Sequence, residues 1–192
     1  MTIFDKNWAL NQLRHQRNSY FVGLAAMHLL NHDAILGLVD TIVMIKDDYI
    51  IFNPSEDERK DKRYELHLKQ LVDDYINKPD DLFITLVEFH KFIRRNLIKE
   101  CFEVAKSYSK FMGIGKTLTV QPWYHWARIV RNAITHDLHF VFNKSDHNIL
   151  PITWCGKTID LPMNGMPFTQ DFLGPELTIQ LIVEIHDFIL SH

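Results

Sequence analysis

The sequence predicts an all-α fold: a helical bundle of about five to six helices, with a small β-hairpin or irregular insertion before the last helix. Apolar residues recur at helical spacing along most of the chain, whereas prolines and glycines concentrate in residues 143–174. With 192 residues and 46% hydrophobic content, the chain can bury a substantial core. We therefore expect a single helical domain over residues 1–192, with an insertion at about 143–174.

The first half of the chain predicts helices separated by short breaks. Residues 18–45 place apolar groups at helical spacing, with a cap or break at Asn31–Asp33. A charged helix with a narrower apolar stripe follows over Glu56–Ile76. The longest helical pattern covers roughly Leu82–Phe111 and stops before Gly113, since glycine commonly follows the last turn of a helix.

The second half predicts a helix, a hairpin and a final helix. Pro122 suits the first turn of a helix that continues to His136. The segments Ile149–Thr153 and Thr158–Leu161 flank a short turn and predict a β-hairpin beside that helix. A last amphipathic helix covers Glu176–Leu190.

The helix that follows Pro122 has two distinct faces, at about 100° of rotation per residue. Its apolar arc, expected to face the core, contains Trp123, Trp126, Ala127, Ile129, Val130, Ala133 and Ile134. On the polar arc, Arg131 and His136 lie at opposite edges, and Asn132 can reach His136 four residues later. An arginine, an amide and an imidazole on one face are suited to holding a phosphodiester, although a solvated helix face has a similar composition.

Charge is distributed unevenly along the chain. The net charge is −3, but residues 90–131 contain nine Lys or Arg and two Glu, so this segment is +7 and the remainder is −10. A basic zone in an acidic molecule predicts local, salt-sensitive binding of anions. The candidate residues for binding RNA or phosphate are Arg94, Arg95, Arg128 and Thr135.

Several classes of protein are disfavoured by the sequence. The apolar runs are too short to span a bilayer and the first residues lack a secretory pattern, so we expect a cytoplasmic protein without a membrane partner. Cys101 and Cys155 are too few for a disulfide scaffold or a zinc cluster. We expect neither a cofactor nor a metal, because Arg131 would repel a divalent cation beside His136.

The spacing of Arg131, Asn132 and His136 matches the pattern of arginine, polar residue, three arbitrary residues and histidine of the HEPN superfamily. The chain resembles HEPN proteins, and the resemblance implies a helical bundle that acts as a metal-independent endoribonuclease. In such an enzyme the ribose 2′-hydroxyl attacks its own phosphate and leaves 2′,3′-cyclic phosphate and 5′-hydroxyl ends. His136 would move the proton, Arg131 would stabilise the phosphate charge, and Asn132 would orient the pair.

The same resemblance implies partners. HEPN motifs of two protomers commonly meet, so we expect a homodimer with facing motif helices, its interface including Trp123, Tyr124 and Trp126. A toxin or defence effector of this kind would have a cognate antitoxin. In HEPN toxins that a nucleotidyltransferase antitoxin modifies, a tyrosine stands two residues after the histidine; here that residue is Leu138, so this regulation is not expected.

Three other interpretations remain open at this point. An HEPN-like module could bind nucleotide or RNA without cleaving it, and a helical bundle could serve only to bind a partner protein. The doublet His136–Asp137 also loosely resembles the ligand set of metal-dependent HD phosphohydrolases, which are likewise helical. The sequence does not distinguish the non-cleaving HEPN-like module from the nuclease; a measurement of RNA cleavage does.

Overall fold

The chain forms two compact units, one of which contains every candidate site residue. The structure, a computed structural model, describes residues 4–29, 42–46, 49–53, 55–56, 64–136, 138–169 and 172–192. Unit 1 comprises Met1–Phe21 and Lys91–His192, and unit 2 comprises Val22–His90.

Helices account for most of the described elements. In chain order the elements are α1 (Lys6–Leu29), β1 (Ile42–Lys46), β2 (Tyr49–Phe52), β3 (Tyr64–His67), α2 (Leu68–Asn77), α3 (Pro79–Phe111), α4 (Gly115–Thr119), α5 (Tyr124–Thr135), β4 (Ile152–Trp154), β5 (Lys157–Ile159) and α6 (Pro175–Ser191). Single 3₁₀ turns lie at Asp146–Asn148 and Leu161–Met163. The predicted fold class, a helical bundle with a small hairpin before the last helix, is confirmed. The single-domain prediction stays a prediction, because α1 and α3 each contribute residues to both units.

Unit 2 contains a three-stranded antiparallel sheet that was not predicted from the sequence. Its strand order is β2-β1-β3, and Val43 of the central strand pairs with Phe52 on one side and Leu66 on the other. The helix predictions are therefore wrong at Ile42–Ile45 and at Tyr64–His67, whereas the expected break at Asn31–Asp33 lies outside the described residues. Short runs rich in β-branched and aromatic residues fit either a buried helix or a strand, and strand pairing decides between them.

The core of unit 1 is built around α5. Its predicted apolar arc is confirmed at six positions, which are all buried: Trp123, Trp126, Ala127, Ile129, Val130 and Ala133. The ring of Tyr124 stacks on Phe102 of α3 at a centroid distance of 5.6 Å, and Trp123 meets Phe188 of α6 edge-on at 6.2 Å. Because Trp123 and Trp126 are 1% and 0% exposed, the expectation that they contribute to a dimer interface is wrong.

A two-residue turn closes the predicted hairpin between β4 and β5. Cys155 and Gly156 have φ values of 45° and 74°, and two consecutive positive values are typical of a type I′ turn, whose twist matches that of the strands. Trp126 of α5 donates its indole N–H to the carbonyl of Lys157 at 2.9 Å and packs against Trp154. The hairpin thus lies beside the motif helix, as predicted, with strands shorter than expected.

The two cysteines occupy different environments. Cys101 is buried in α3, and burial, aided by the charge of Glu100, raises the pKa of its thiol to about 12. Cys155 is exposed in the hairpin turn. Among the described residues, no helix is both long and apolar enough to cross a membrane.

We expect an alkylating reagent to modify one thiol of the folded protein and two of the unfolded protein, because the reactive thiolate is suppressed at Cys101. Mass spectrometry with and without denaturant counts the modified thiols. The Cys155→Ser variant is the control and should remain unmodified while folded. Modification of Cys101 at the rate of Cys155 would contradict this assignment.

Candidate functional site

The motif residues lie at the C-terminal end of α5. Arg131, Asn132 and Thr135 lie on its last turns, but the helix ends one residue before His136, whose backbone has φ −117° and ψ 80°. The prediction that His136 continues the helix is therefore wrong. The chain turns here because Phe140, which is 1% exposed, enters the core and donates its N–H to Met166 at 2.9 Å.

The turn leaves His136 exposed but attached to the helix. Its backbone N–H donates to the carbonyl of Asn132 at 2.9 Å, and its own carbonyl accepts the N–H of His139 at 3.2 Å. Leu138 adopts a left-handed conformation with φ 56°, and its carbonyl accepts the N–H of Phe168 at 2.7 Å. The imidazole therefore projects from a backbone that hydrogen bonds fix on both sides.

Arg131 is held by two acceptors. Its guanidinium donates to the Glu103 carboxylate on α3 and, at 3.0 Å, to the side-chain oxygen of Asn132. Lys106 also approaches Glu103, at 3.1 Å, so two cations share one carboxylate and the cluster keeps a net positive charge. These bonds occupy two of the five N–H donors of the guanidinium. The remaining donors include its Nε, a buried atom for which the described residues provide no acceptor.

The role expected of Asn132 is altered by this arrangement. Its side chain was expected to orient His136, but the side-chain oxygen accepts from Arg131 instead. The link from Asn132 to His136 runs through the backbone. Asn132 therefore connects the two candidate catalytic residues: its side-chain oxygen accepts from Arg131, and its backbone carbonyl accepts from His136.

Arg128 forms a separate, more buried ion pair. It donates to Asp146, which is 1% exposed and whose second oxygen accepts the N–H of Asn143 at 2.8 Å. This pair ties α5 to the segment after the motif. Arg128 was expected to bind phosphate; in the structure its charge is compensated by a carboxylate, and a role in binding RNA stays a prediction.

The other candidate cations divide into one core residue and one surface residue. Arg94 is 6% exposed, and burial lowers its pKa against the opposing effect of Tyr20, so it lies within the packed part of unit 1. Arg95 lines a depression together with Lys99 and Thr135. Part of the basic zone predicted from sequence therefore does lie beside the motif.

A second depression lies next to His136. It is lined by Asn132, His136 and His139 together with Val141, Phe142 and Asn143. Thr135 and Leu138 line the depression that contains Arg95, whereas His136 and His139 line this second one. Glu103 and Asp146, which organise the two arginines of α5, were not identified from the sequence because they lie 28 and 18 residues from their partners.

A metal site of three or more ligands is absent from the described part of the chain. No group of three or more His, Cys, Asp or Glu side chains there could hold a metal ion. Asp137, which the HD phosphohydrolase interpretation requires, lies outside the described residues.

Comparisons with known protein families, with curated proteins and with solved structures find no match to this chain. The resemblance to HEPN proteins therefore rests on Arg131, Asn132 and His136 and on the helical fold around them.

Replacing Asp146 with asparagine should lower the free energy of unfolding by about 3 kcal/mol, because it leaves the Arg128 charge without its buried partner. Urea unfolding measures the change. Asp73→Asn is the matched control: Asp73 pairs with Lys69 on the surface of α2, and exposed pairs contribute about 0.5 kcal/mol or less. Equal losses in the two variants would contradict the importance of the buried pair.

His125 should make stability depend on pH. Burial, together with the charge of Arg128, lowers the pKa of His125 below its ordinary value, while Asp146 acts in the opposite direction. The unfolded chain therefore binds a proton more readily, so the contribution of His125 is complete above about pH 6.5 and is lost as the pH falls.

Unfolding of wild type and of His125→Gln, measured from pH 7.5 to pH 5, tests this effect. We expect a smaller loss of stability on acidification in the variant. His147→Gln, at an exposed histidine, serves as the control for the loss of an imidazole. Identical pH profiles for wild type and His125→Gln would disprove the assignment.

Proposed function

We propose that this chain is a metal-independent endoribonuclease of the HEPN type, acting at the C-terminal end of α5. The observation on which this rests is the placement of a half-buried, positioned Arg131 and an exposed His136 at one helix end, joined through Asn132. A basic depression adjoins them. The proposal places the protein in the cytoplasm, with RNA as its substrate.

The proposed reaction needs two proton transfers. The ribose 2′-oxygen attacks phosphorus and loses its proton to a base, while the bond from phosphorus to the 5′-oxygen breaks and that oxygen receives a proton from an acid. His136 is exposed and can perform one of these transfers. Arg131 compensates the charge that accumulates on the phosphate oxygens.

Glu103 supports this role by holding Arg131 in place. Its carboxylate and Asn132 fix the guanidinium, so less side-chain freedom is lost when phosphate binds. Donors of the guanidinium remain for a phosphate, and Lys106 offsets the charge of Glu103.

The motif supplies one histidine per chain, which favours a dimeric site. A homodimer with the ends of α5 facing one another would bring a second His136 to the same phosphate and supply both base and acid. Because Trp123 and Trp126 are core residues, the interface would involve the exposed end of α5 rather than its start. We also propose that the protein acts as a toxin or defence effector, and that a cognate antitoxin restrains its cleavage of RNA.

A second candidate is an HEPN-like module that binds RNA or nucleotide without cleaving it. The pairing of Arg131 with Glu103 favours it, because a carboxylate beside the arginine reduces the charge available to a transition state. Both candidates require Arg131; only the nuclease requires His136 to transfer protons.

Incubation of labelled mixed RNA with the protein and a chelator tests the proposal. We expect 2′,3′-cyclic phosphate ends, with the rate reduced by about 10²-fold or more in His136→Ala and Arg131→Ala. His147→Ala, which removes another exposed histidine, should cleave like wild type. Dilution should lower the rate per chain if the site forms between two protomers.

The product ends and the variants separate the candidates. Intact RNA that wild type retains, and that Arg131→Ala does not, would establish the binding module instead. Cleavage that survives in His136→Ala would overturn the proposed site.

A further inference from the structure

An aromatic side chain stands beside the cations of the depression next to the motif, which we call the α3–α5 depression. Its walls consist of Phe92, Arg95, Asn96 and Lys99 from α3, and of Ile134, Thr135 and Leu138 from the end of α5 and the following turn. This open depression has a volume of about 480 Å³, within the range of about 300–1,000 Å³ found for small-molecule sites. Phe92 is 59% exposed.

The residues of α3 in this depression share one helix face. Counted from Phe92, the other three lie three, four and seven residues later: Arg95, Asn96 and Lys99. This spacing aligns side chains along one face of a helix. A single exposed phenylalanine is ordinary in a protein surface. The combination of Phe92 with two cations and an amide is a more specific indication of a binding site, because these are the groups that together contact a nucleotide.

Each group matches one part of an unpaired nucleotide. The ring of Phe92 can stack on the face of a base, and the amide of Asn96 offers both a donor and an acceptor to a base edge. Arg95 and Lys99 can hold the phosphate. The pair between Lys99 and Glu100, at 3.1 Å, is partly exposed on both sides, so a phosphate can replace the carboxylate at small cost.

The depression adjoins the proposed reaction centre. Thr135 forms part of its wall, and the next residue, His136, lines the second depression. Consecutive Cα atoms are about 3.8 Å apart, so the backbone positions that contribute to the two depressions are adjacent at this point.

We propose that the α3–α5 depression binds one unpaired nucleotide of single-stranded RNA, with its base stacked on Phe92 and its phosphate held by Arg95 and Lys99. This nucleotide lies next to the phosphodiester at which His136 transfers a proton. This inference rests on the proposed function and specifies its substrate class. Paired bases are covered by their neighbours on both faces and cannot stack on Phe92, so duplex RNA is excluded from this subsite.

Binding of a fluorescent single-stranded oligonucleotide tests the subsite separately from catalysis. With every 2′-hydroxyl methylated, the oligonucleotide lacks the nucleophile and stays intact. Fluorescence anisotropy at fixed ionic strength should show affinity reduced about 5- to 100-fold in both Phe92→Ala and Phe92→Leu, because neither retains the ring. Phe92→Tyr, which keeps the ring, should bind like wild type.

Two further measurements make the test specific. Phe83→Ala is the matched control, since Phe83 is a 70% exposed phenylalanine of α3 that does not line the depression, and it should bind like wild type. The double variant Arg95→Ala with Lys99→Ala should flatten the dependence of log affinity on log salt by about 0.7 for each phosphate that the protein no longer neutralises. Thermal unfolding checks that each variant is folded.

The outcomes distinguish failure of the subsite from failure of the nuclease. Wild type that does not bind, Phe92→Leu that binds like wild type, or a duplex that binds as tightly as the single strand would each overturn the subsite. Binding that depends on Phe92, without cleavage of unmodified RNA, would support the subsite and refute the nuclease. Cleavage whose kcat/KM is unchanged in the Phe92 variants would support the nuclease and refute the subsite.

Discussion

The burial of Trp126 fixes the orientation of the motif helix, and the candidate site depends on that orientation. Trp126 is fully buried, contacts Trp154 and Phe172, and donates its indole N–H to the carbonyl of Lys157. Rotating α5 about its axis would expose this large ring and leave a buried N–H without an acceptor, and both changes are costly. With the apolar arc held in this way, Arg131 and Asn132 have to face α3 and the turn that follows α5.

Two carboxylates then give the arginines of that helix different roles. Asp146 is almost completely buried and pairs with Arg128, which makes this pair part of the packing of unit 1. Glu103 is one-third exposed and shared with Lys106, so the charge on Arg131 is only partly compensated. A buried ion pair resists exchange with ions from solvent. By contrast, a cation whose carboxylate partner is shared and partly exposed can bind a further anion. The two arginines of one polar arc are therefore not equivalent.

Sequence periodicity predicted the elements that local residue patterns determine. It failed where contacts between residues distant in sequence determine the structure. The buried arc of α5, the extent of α3 and the hairpin beside α5 follow from local patterns. The sheet of unit 2 was missed because short apolar runs fit a strand as well as a helix until their partners are known. Similarly, spacing placed Arg131 and His136 on one polar arc, but it contained no signal for Glu103, whose contact with Arg131 is made by tertiary packing. The end of α5 before His136 likewise depends on where Phe140 is buried.

The consecutive residues Thr135 and His136 line different depressions, and this placement has a consequence for any flexible polymer that occupies both. When successive flat groups of such a polymer occupy separate depressions, they no longer stack on one another. In a regular A-form RNA strand, stacking holds the 2′-oxygen away from the line that joins phosphorus to the departing 5′-oxygen. For the proposed RNA substrate, unstacking at that linkage would release this restriction and permit in-line attack, which is part of the geometric requirement for cleavage.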